Sequence, residues 1–372
     1  MAARRTPPFR ADQVGSLLRP QKLLDARDAR KAGKITAKQL KSVEDESIRN
    51  VIKLQEDIGL QAITDGEFRR TWWHLDFLVS FANVEEIPPK VKVKFHTHEG
   101  DLEYEPPGFR VAGKLGHPKP IFVDHFKFVK SVTKETPKVT IPSPSMMHFR
   151  GGRKAIDEKA YPDMAEFYAD LGRVYNEEVM DMAAAGCRYL QLDETNFAYL
   201  CDPKLRDQVR TNLGEDPEQL THTYAKLINS VIKGRPDDMA ITMHLCRGNF
   251  QSAWVAEGGY EPVAEVLFNE IGVDGYFLEY DDQRSGGFEP LRFVPKGKTV
   301  VLGLVTSKVG TLETKDTLKR RIDEAAKFVP LEQLALSPQC GFSSTVHGNK
   351  ITVDDEIAKL RLVVDTAREV WG

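Results

Sequence analysis

Few cysteines, no long apolar run and almost no charge imbalance bound what this chain can be. Its four cysteines, Cys187, Cys201, Cys246 and Cys340, are too scattered in 372 residues for a disulfide framework, which points to a reducing, cytoplasmic compartment. No stretch approaches the ~18 consecutive apolar residues of a membrane span, and the opening Met-Ala-Ala-Arg-Arg-Thr-Pro-Pro lacks the apolar segment of a secretory signal. Neither membrane insertion nor export is expected. A formal net charge of −3 gives no electrostatic reason to expect nucleic acid or anionic lipid as a partner. Internal repeats, low-complexity tracts and composition shifts are missing too, so residues 1–372 read as a single domain. At 41% hydrophobic and 29% charged, the chain has the balance of an ordinary folded enzyme.

What is present is an alternation. Eight short β-rich apolar runs fall near 11–14, 61–64, 137–141, 188–192, 239–243, 274–278, 299–304 and 334–337. Segments with helical periodicity lie between or after them, at 38–59, 163–185, 216–233, 261–271, 314–328 and 354–370. Strands separated by helices imply parallel pairing with crossover connections, and eight is the number that closes a barrel. The expected fold is an α/β TIM (β/α)8 barrel. Residues 86–119 break the rhythm: Pro88-Pro89, the alternating Val91-Lys92-Val93-Lys94-Phe95, and Pro106-Pro107-Gly108 predict a β-hairpin inserted between the second and third strands.

The C-terminal ends of these runs collect the chemistry. In order they give Gly15-Ser16, Asp65-Gly66-Glu67, Ser143-Pro144-Ser145, Asp193-Glu194, His244-Leu245-Cys246, Glu279, Thr306-Ser307-Lys308 and Cys340-Gly341. Barrel enzymes build their sites from this rim. Polar residues at strand ends are ordinary, and a His-x-Cys pair would arise by chance roughly one time in ten. A His, two Cys and a Glu at three such ends are harder to explain that way. His244, Cys246, Glu279 and Cys340 make a donor set suited to tetrahedral Zn²⁺. Alternation along a strand lets His244 and Cys246 face the same way while Leu245 packs outward. Two thiolates and one carboxylate leave a zinc site with a net charge of −1, and exchanging the carboxylate for a substrate thiolate preserves that charge.

Val14-Gly15-Ser16, Asp65-Gly66-Glu67, Leu190-Gln191-Leu192-Asp193-Glu194, His244-Leu245-Cys246, Glu279 and Ser337-Pro338-Gln339-Cys340-Gly341, in this order and spacing, resemble the catalytic C-terminal barrel of cobalamin-independent methionine synthase. The resemblance runs from about residue 10 to about residue 370. It implies a zinc enzyme that moves a methyl group from a methylated folate to homocysteine, with His244, Cys246, Glu279 and Cys340 as the zinc ligands. By the same matching, Ser16 would take the amino-acid carboxylate, and Glu67 and Asp193 the ammonium. That division suits an α-amino acid, which needs an anion cradle beside charged carboxylates. Asp193 capping the following helix, or Glu67 paired with Arg69 or Arg70, are the plainer roles for the same residues.

Departures from the family pattern concern the electrophile. Full-length members carry an additional N-terminal barrel for which 372 residues leave no room. The family's proton-donating His beyond strand seven falls within Thr306-Ser307-Lys308 here, Tyr199 stands where a folate-contacting Glu is expected, and the Trp after the third strand is missing. Lys308, His347 or a tyrosine would then protonate the leaving group, and Trp72-Trp73-His74 would form an aromatic wall. Cys187 and Cys201 read as buried structural thiols. Three functions follow. The first is a single-barrel methionine synthase whose donor is a methylfolate or a methyl-carrying partner protein. The second is a zinc alkyltransferase acting on another thiol, such as coenzyme M, with an epoxide or similar electrophile, its anion held among Arg19, Arg69, Arg70, Arg247 and Lys308. The third is a non-catalytic zinc or thiol-binding protein.

Overall fold

The computed structural model describes residues 6–89, 92–97 and 100–372. Among these residues the strands are β1 (Ala62–Ile63), β2 (Ala82–Ile87), β3 (Val93–Thr97), β4 (Gly100–Tyr104), β5 (Gly108–Gly116), β6 (Thr136–Pro137), β7 (Val139–Pro142), β8 (Tyr189–Glu194), β9 (Ala240–Leu245), β10 (Gly275–Glu279), β11 (Thr299–Val305) and β12 (Leu334–Pro338). β7 to β12 lie side by side in chain order as a six-stranded sheet, every pair parallel. Four of the five crossovers carry a longer α-helix, Met164–Ala184, Pro217–Val231, Glu261–Glu270 and Lys315–Ala325, and the connection from β10 to β11 has only the short 3-10 turns Gln283–Ser285 and Glu289–Phe293. The helix starts are written locally. Asp202-Pro203 and Asp216-Pro217 each put an Asp cap before a proline in the first turn, and Thr36 and Thr352 close capping boxes.

The strands are buried on both faces, which explains their continuous apolar sequence. Along β10, Tyr276 and Leu278 join the large hydrophobic cluster shared with the helices. Phe277, between them, packs instead with Val14, Val301 and Ala335. Beside that second cluster lies a buried ion pair, Lys138 Nζ to Asp12 Oδ1 at 3.1 Å. The Tyr189 hydroxyl donates to Asp12 Oδ2 at 2.7 Å, and the Lys138 ammonium lies 4.1 Å from the Phe277 ring centre.

The expected closed ladder of eight strands is not what forms. Six strands make the regular sheet, β1 pairs in parallel with β6, and Ala11 makes a single parallel bridge to Leu336. Between the segment around Gln13 and β1, side chains carry most of the connection. Gln13 Nε2 donates to Gln55 Oε1 at 3.1 Å and Thr64 Oγ1 at 3.3 Å, and Thr64 Oγ1 donates to the Gly15 carbonyl at 2.7 Å. Gln55, on the helix Ala37–Ile58, receives the Thr64 N–H at 3.0 Å and donates to the Thr64 carbonyl at 2.9 Å. A two-residue β1 is too short for a ladder on both sides, and one buried glutamine satisfies the backbone groups left over.

The inserted region also differs from the single hairpin expected over 86–119. It holds two antiparallel pairs, β2 with β5 and β3 with β4, the first starting at Ala82. Val91 of the expected alternation lies outside the described residues. The β3–β4 pair is tied to the loop after β9 by an antiparallel bridge between His96 and Trp254. No helix among the described residues is long and apolar enough to cross a membrane.

The side-chain bridge at β1 is testable. Gln55→Ala strands the Thr64 N–H and carbonyl and one Gln13 donor in a buried setting, where each orphaned group costs about 1–3 kcal/mol. Urea unfolding of this variant should show a loss of about 2–4 kcal/mol. A loss below about 0.5 kcal/mol would mean that the backbone, not Gln55, holds this junction.

Candidate metal centre and substrate cavity

Parallel register brings the ligand candidates to one edge. In β9, His244 lies opposite Phe277 and Leu245 opposite Leu278, so Glu279 ends the neighbouring strand one step further on. Cys246 N–H donates to the Glu194 carbonyl at 2.9 Å, prolonging β9 by one residue. Leu245 packs into the main hydrophobic cluster, leaving His244 and Cys246 on the other face. Cys340 follows β12, where Gln339 N–H donates to the Val305 carbonyl at 2.8 Å. The ligand atoms of His244, Cys246, Glu279 and Cys340 all lie within 4.8 Å of one another, and all four residues are buried. The two sulfurs are 3.4 Å apart.

The donor set fits zinc by its own chemistry. Neither ring nitrogen of the buried His244 has a hydrogen-bond partner among the described residues, nor has Glu279 Oε2, whereas Glu279 Oε1 accepts the Arg247 N–H at 2.9 Å. Orphaned buried acceptors aimed at two thiols are costly unless a cation completes them. The Cys340 thiol is held well below its ordinary pKa, first by the hydrogen bond from Cys246 and also by the nearby His244. Cys246 is raised by that same contact and by burial. Glu279 is raised by burial first and by Cys340 second. A second close group, His117, Glu178 and Asp181, is otherwise employed. Glu178 accepts from His117 Nε2 at 2.8 Å and from the Ile121 and Phe122 N–H groups at 2.8 and 2.9 Å, which clamps a loop.

His244, Cys246 and Cys340 line a cavity of about 520 Å³, and Ser16, Glu67 and Asp193 line the same cavity. Gly341 permits this convergence, since a Cβ there would sit 2.0 Å from Ser16 Oγ. Glu67 adopts the left-handed region at φ 61, an unusual conformation for a glutamate, supported by its N–H donating to Asp65 Oδ1 at 2.8 Å. Its Oε1 accepts from Thr140 Oγ1 at 2.7 Å and lies 3.5 Å from Arg70 Nη1, while Oε2 has no hydrogen-bond partner among the described residues. Asp193 accepts from Gln191 Nε2 at 2.7 Å. Burial, then the Glu67 charge, push its carboxyl up to about 7. Two buried carboxylates facing one cavity repel each other, and a ligand ammonium would relieve that repulsion.

Other candidates are placed elsewhere. Lys308 is buried, donating to Asn249 Oδ1 and the Ala253 carbonyl, both at 3.4 Å, and His347 is exposed, with its ring 5.5 Å from that of Phe250. Neither lines the cavity. Most of the basic residues proposed for an anion are occupied too, and Arg247, whose guanidinium has no hydrogen bond among the described residues, does not line the cavity. Arg19 braces the carbonyls of Ser343, Thr345, Glu67 and Arg70, Arg69 pairs with Glu44 and Asp45, and Arg247 stacks 4.7 Å from the Tyr260 ring centre. Trp72, Trp73 and His74 do form a cavity wall, joined by Tyr199 and by Phe95 and Tyr104 of the inserted strands. Arg150, which sequence reasoning missed, also lines it. Its only signal was its place seven residues after Ser143, on the loop that follows the third expected strand. Cys187 and Cys201 are buried free thiols.

Comparison with known proteins agrees with this geometry. Residues 9–369 match the family model described as the catalytic domain of cobalamin-independent synthase. The uncharacterized protein YxjH of Bacillus subtilis is 47% identical over 369 residues, covering 99% of this chain and 96% of that one. A Listeria monocytogenes crystal structure, provisionally described as a vitamin-B12-independent methionine synthase, superposes with a TM-score of 0.79 at 37% identity, covering 99% of this chain and all of that one. The 5-methyltetrahydropteroyltriglutamate–homocysteine methyltransferase of Thermotoga maritima is 23% identical over 370 residues, and this chain spans 45% of its length. The chain belongs to the cobalamin-independent synthase catalytic-domain family.

Proposed function

We propose that this protein is a zinc-dependent thiol methyltransferase that uses homocysteine as acceptor and takes the methyl group from a methylfolate or another methyl donor. The observation that carries this reading is one cavity lined by both halves of an acceptor site. A buried His/Cys/Glu/Cys set meets a sulfur, and the carboxylates of Glu67 and Asp193 meet an ammonium. Residues 1–372 act as one domain, with the ends of eight extended segments arranged as a barrel rim and residues 86–119 as an insertion, in the reducing cytoplasm that free thiol ligands require.

His244, Cys246, Glu279 and Cys340 would hold the ion. Zinc in such a set lowers the pKa of a thiol so that it is a thiolate near neutral pH. The chain's own residues orient the rest. Ser16 offers its hydroxyl beside the amino-acid carboxylate, and Glu67 and Asp193 fix the ammonium, so that the sulfur is presented at one position. Arg284 Nη2 lies 3.6 Å from Glu279 Oε2 and would be a partner for that carboxylate whenever it did not hold the ion. Lys308 sits behind the sulfurs, where its charge helps to lower the Cys340 pKa. Buried as it is, it serves there as an electrostatic support for the thiolates, and His347 lies behind the aromatic wall.

Two measurements test the reading. Wild-type protein should retain about one zinc per chain, Cys246→Ser and Cys340→Ser should lose it, and Glu279→Gln should keep more of it than either. Zinc-free wild type that also fails to bind added zinc tightly contradicts the proposal. The acceptor is tested by titrating homocysteine and mercaptoethanol into zinc-loaded protein. Asp193→Ala should weaken homocysteine by very roughly 100-fold, the loss expected when one side of a buried charge pair is removed, and leave mercaptoethanol nearly unchanged. Because the Asp193 carboxyl lies near 7, a substrate ammonium must expel a proton below that pH. The homocysteine-to-mercaptoethanol affinity ratio should therefore fall by up to about tenfold per pH unit below 7. A ratio independent of pH and of Asp193 removes homocysteine from the reading while leaving the metal site standing.

A further inference from the structure

The cavity has a second polar end that the acceptor does not use. His74 is 1% exposed and lines the cavity, yet neither ring nitrogen has a hydrogen-bond partner among the described residues. Its position is set from both sides. Trp73 N–H donates to the Ser344 carbonyl at 3.0 Å, tying this loop to the one that carries Cys340, and His74 itself begins the short helix Leu75–Leu78. Burial first, then the charge of Arg150, hold the imidazole well below its ordinary pKa. It is a neutral ring that can donate one N–H.

Arg150 lines the same cavity. As a residue Arg150 is exposed, but the protein packed around its side chain lowers its pKa, and among the described residues the only charge partner acting on it is the Tyr199 hydroxyl. Among the described residues no carboxylate pairs with it. By contrast, Arg69 is paired with Glu44 and Asp45 and Arg284 with Asp281 and Asp282. A partly desolvated cation with no counter-ion, beside an unpartnered N–H donor, is a site for an anion. The walls are aromatic: Trp73 lies 4.8 Å from the His74 ring, and Phe149 and Tyr199, whose rings are 5.9 Å apart, line the cavity beside Arg150.

We propose that Arg150 and His74 form a subsite for the carboxylate or sulfonate of an organic anion, at the opposite polarity from the Glu67–Asp193 pair in the same cavity. This extends the function proposed above by giving one of its substrates a negative charge. The anion belongs either to the electrophilic donor or to the acceptor thiol. Arg150 makes the charge-assisted contact, His74 donates the second hydrogen bond, and the aromatic walls exclude the water that would otherwise screen both.

Calorimetric binding to the zinc-loaded full-length protein tests this without turnover. The probes are benzoate as a thiol-free aromatic anion, 3-mercaptopropionate as an anionic thiol and mercaptoethanol as a neutral thiol, each with wild type, Arg150→Gln, Arg150→Lys and His74→Phe. Loss of one charge-assisted contact predicts anion binding at least about tenfold weaker in Arg150→Gln, partly restored in Arg150→Lys, and weakened in His74→Phe. Mercaptoethanol should bind all four proteins alike, which also shows that the variants are folded. If the anion is the donor's, benzoate binds wild type in the presence of saturating mercaptoethanol and is the sensitive probe. If it is the acceptor's, benzoate competes with mercaptopropionate, which loses its advantage over mercaptoethanol in Arg150→Gln. Anion affinities unchanged by either substitution, or no anion binding to wild type, overturn the subsite. Zinc content and the Asp193 dependence of homocysteine binding report separately on the proposed function.

Discussion

The site depends on the parallel register of β9, β10, β11 and β12. Parallel strands all finish at the same edge of the sheet, so Cys246 and Cys340, 94 residues apart in the chain, stand with sulfurs 3.4 Å from each other. An antiparallel neighbour would send every second end to the far side. The register is also exact by residue: a slip of one position in β9 would turn His244 outward toward the helices and bring Leu245 to the metal position. The hydrophobic alternation that assigns Tyr276 and Leu278 to one cluster and Phe277 to another therefore secures the ligand geometry as well as the core.

A rim built this way assembles groups that repel or that lack partners, and the surrounding structure has to hold them. Asp193 and Glu67 are two carboxylates facing one cavity, and the Glu67 backbone sits at φ 61. The strain is countered by local contacts: the Asp65 side chain on the Glu67 N–H, Thr140 on its carboxylate, and Arg19 on its carbonyl at 2.9 Å. Below them, Gln191 links Asp193 to the Val14 carbonyl, and the Lys138–Asp12 pair is enclosed by Tyr189 and Phe277. Several other buried polar groups have no hydrogen-bond partner among the described residues: His74, His244, Glu67 Oε2 and Glu279 Oε2 belong to the cavity wall or to the metal set, whereas the Arg247 guanidinium, Gln191 Oε1 and the Tyr280 hydroxyl belong to neither.

The parts of this arrangement that follow local rules were legible in the sequence. Alternating apolar runs and helical segments located β7 to β12 to within a residue or two, because strands covered on both faces have a composition that turns and helices do not share. The convergence of His244, Cys246, Glu279 and Cys340 was legible because few side-chain types suit a metal such as zinc, and all four lie at strand ends. The closure near β1 was not. It is made by Gln55, in the last turn of the helix Ala37–Ile58 with no distinguishing neighbours, and its role exists only through contacts with Gln13 and Thr64. Lys308 and His347 show the converse: both follow strand ends, yet loop packing turns one behind the sulfurs and the other behind Phe250. Arg150 and His74 were missed as a pair because nothing in either local sequence says that the other lies nearby.

The unpartnered groups also link function to stability. Each buried polar atom without a hydrogen bond costs about 1–3 kcal/mol, a sizeable fraction of the roughly 5–15 kcal/mol that holds a folded domain together. Cavity and metal set contain several, and they lie on segments contributed by β9, β10 and the loops that follow β1 and β12. A cation among His244, Cys246, Glu279 and Cys340 would cross-link the ends of β9, β10 and β12, and a bound substrate would do the same for the Glu67 and His74 loops. Ligands that bind only the folded form stabilise it by mass action. The same groups that give this cavity its chemistry therefore make the ligand-free protein less stable than its packed core alone would allow.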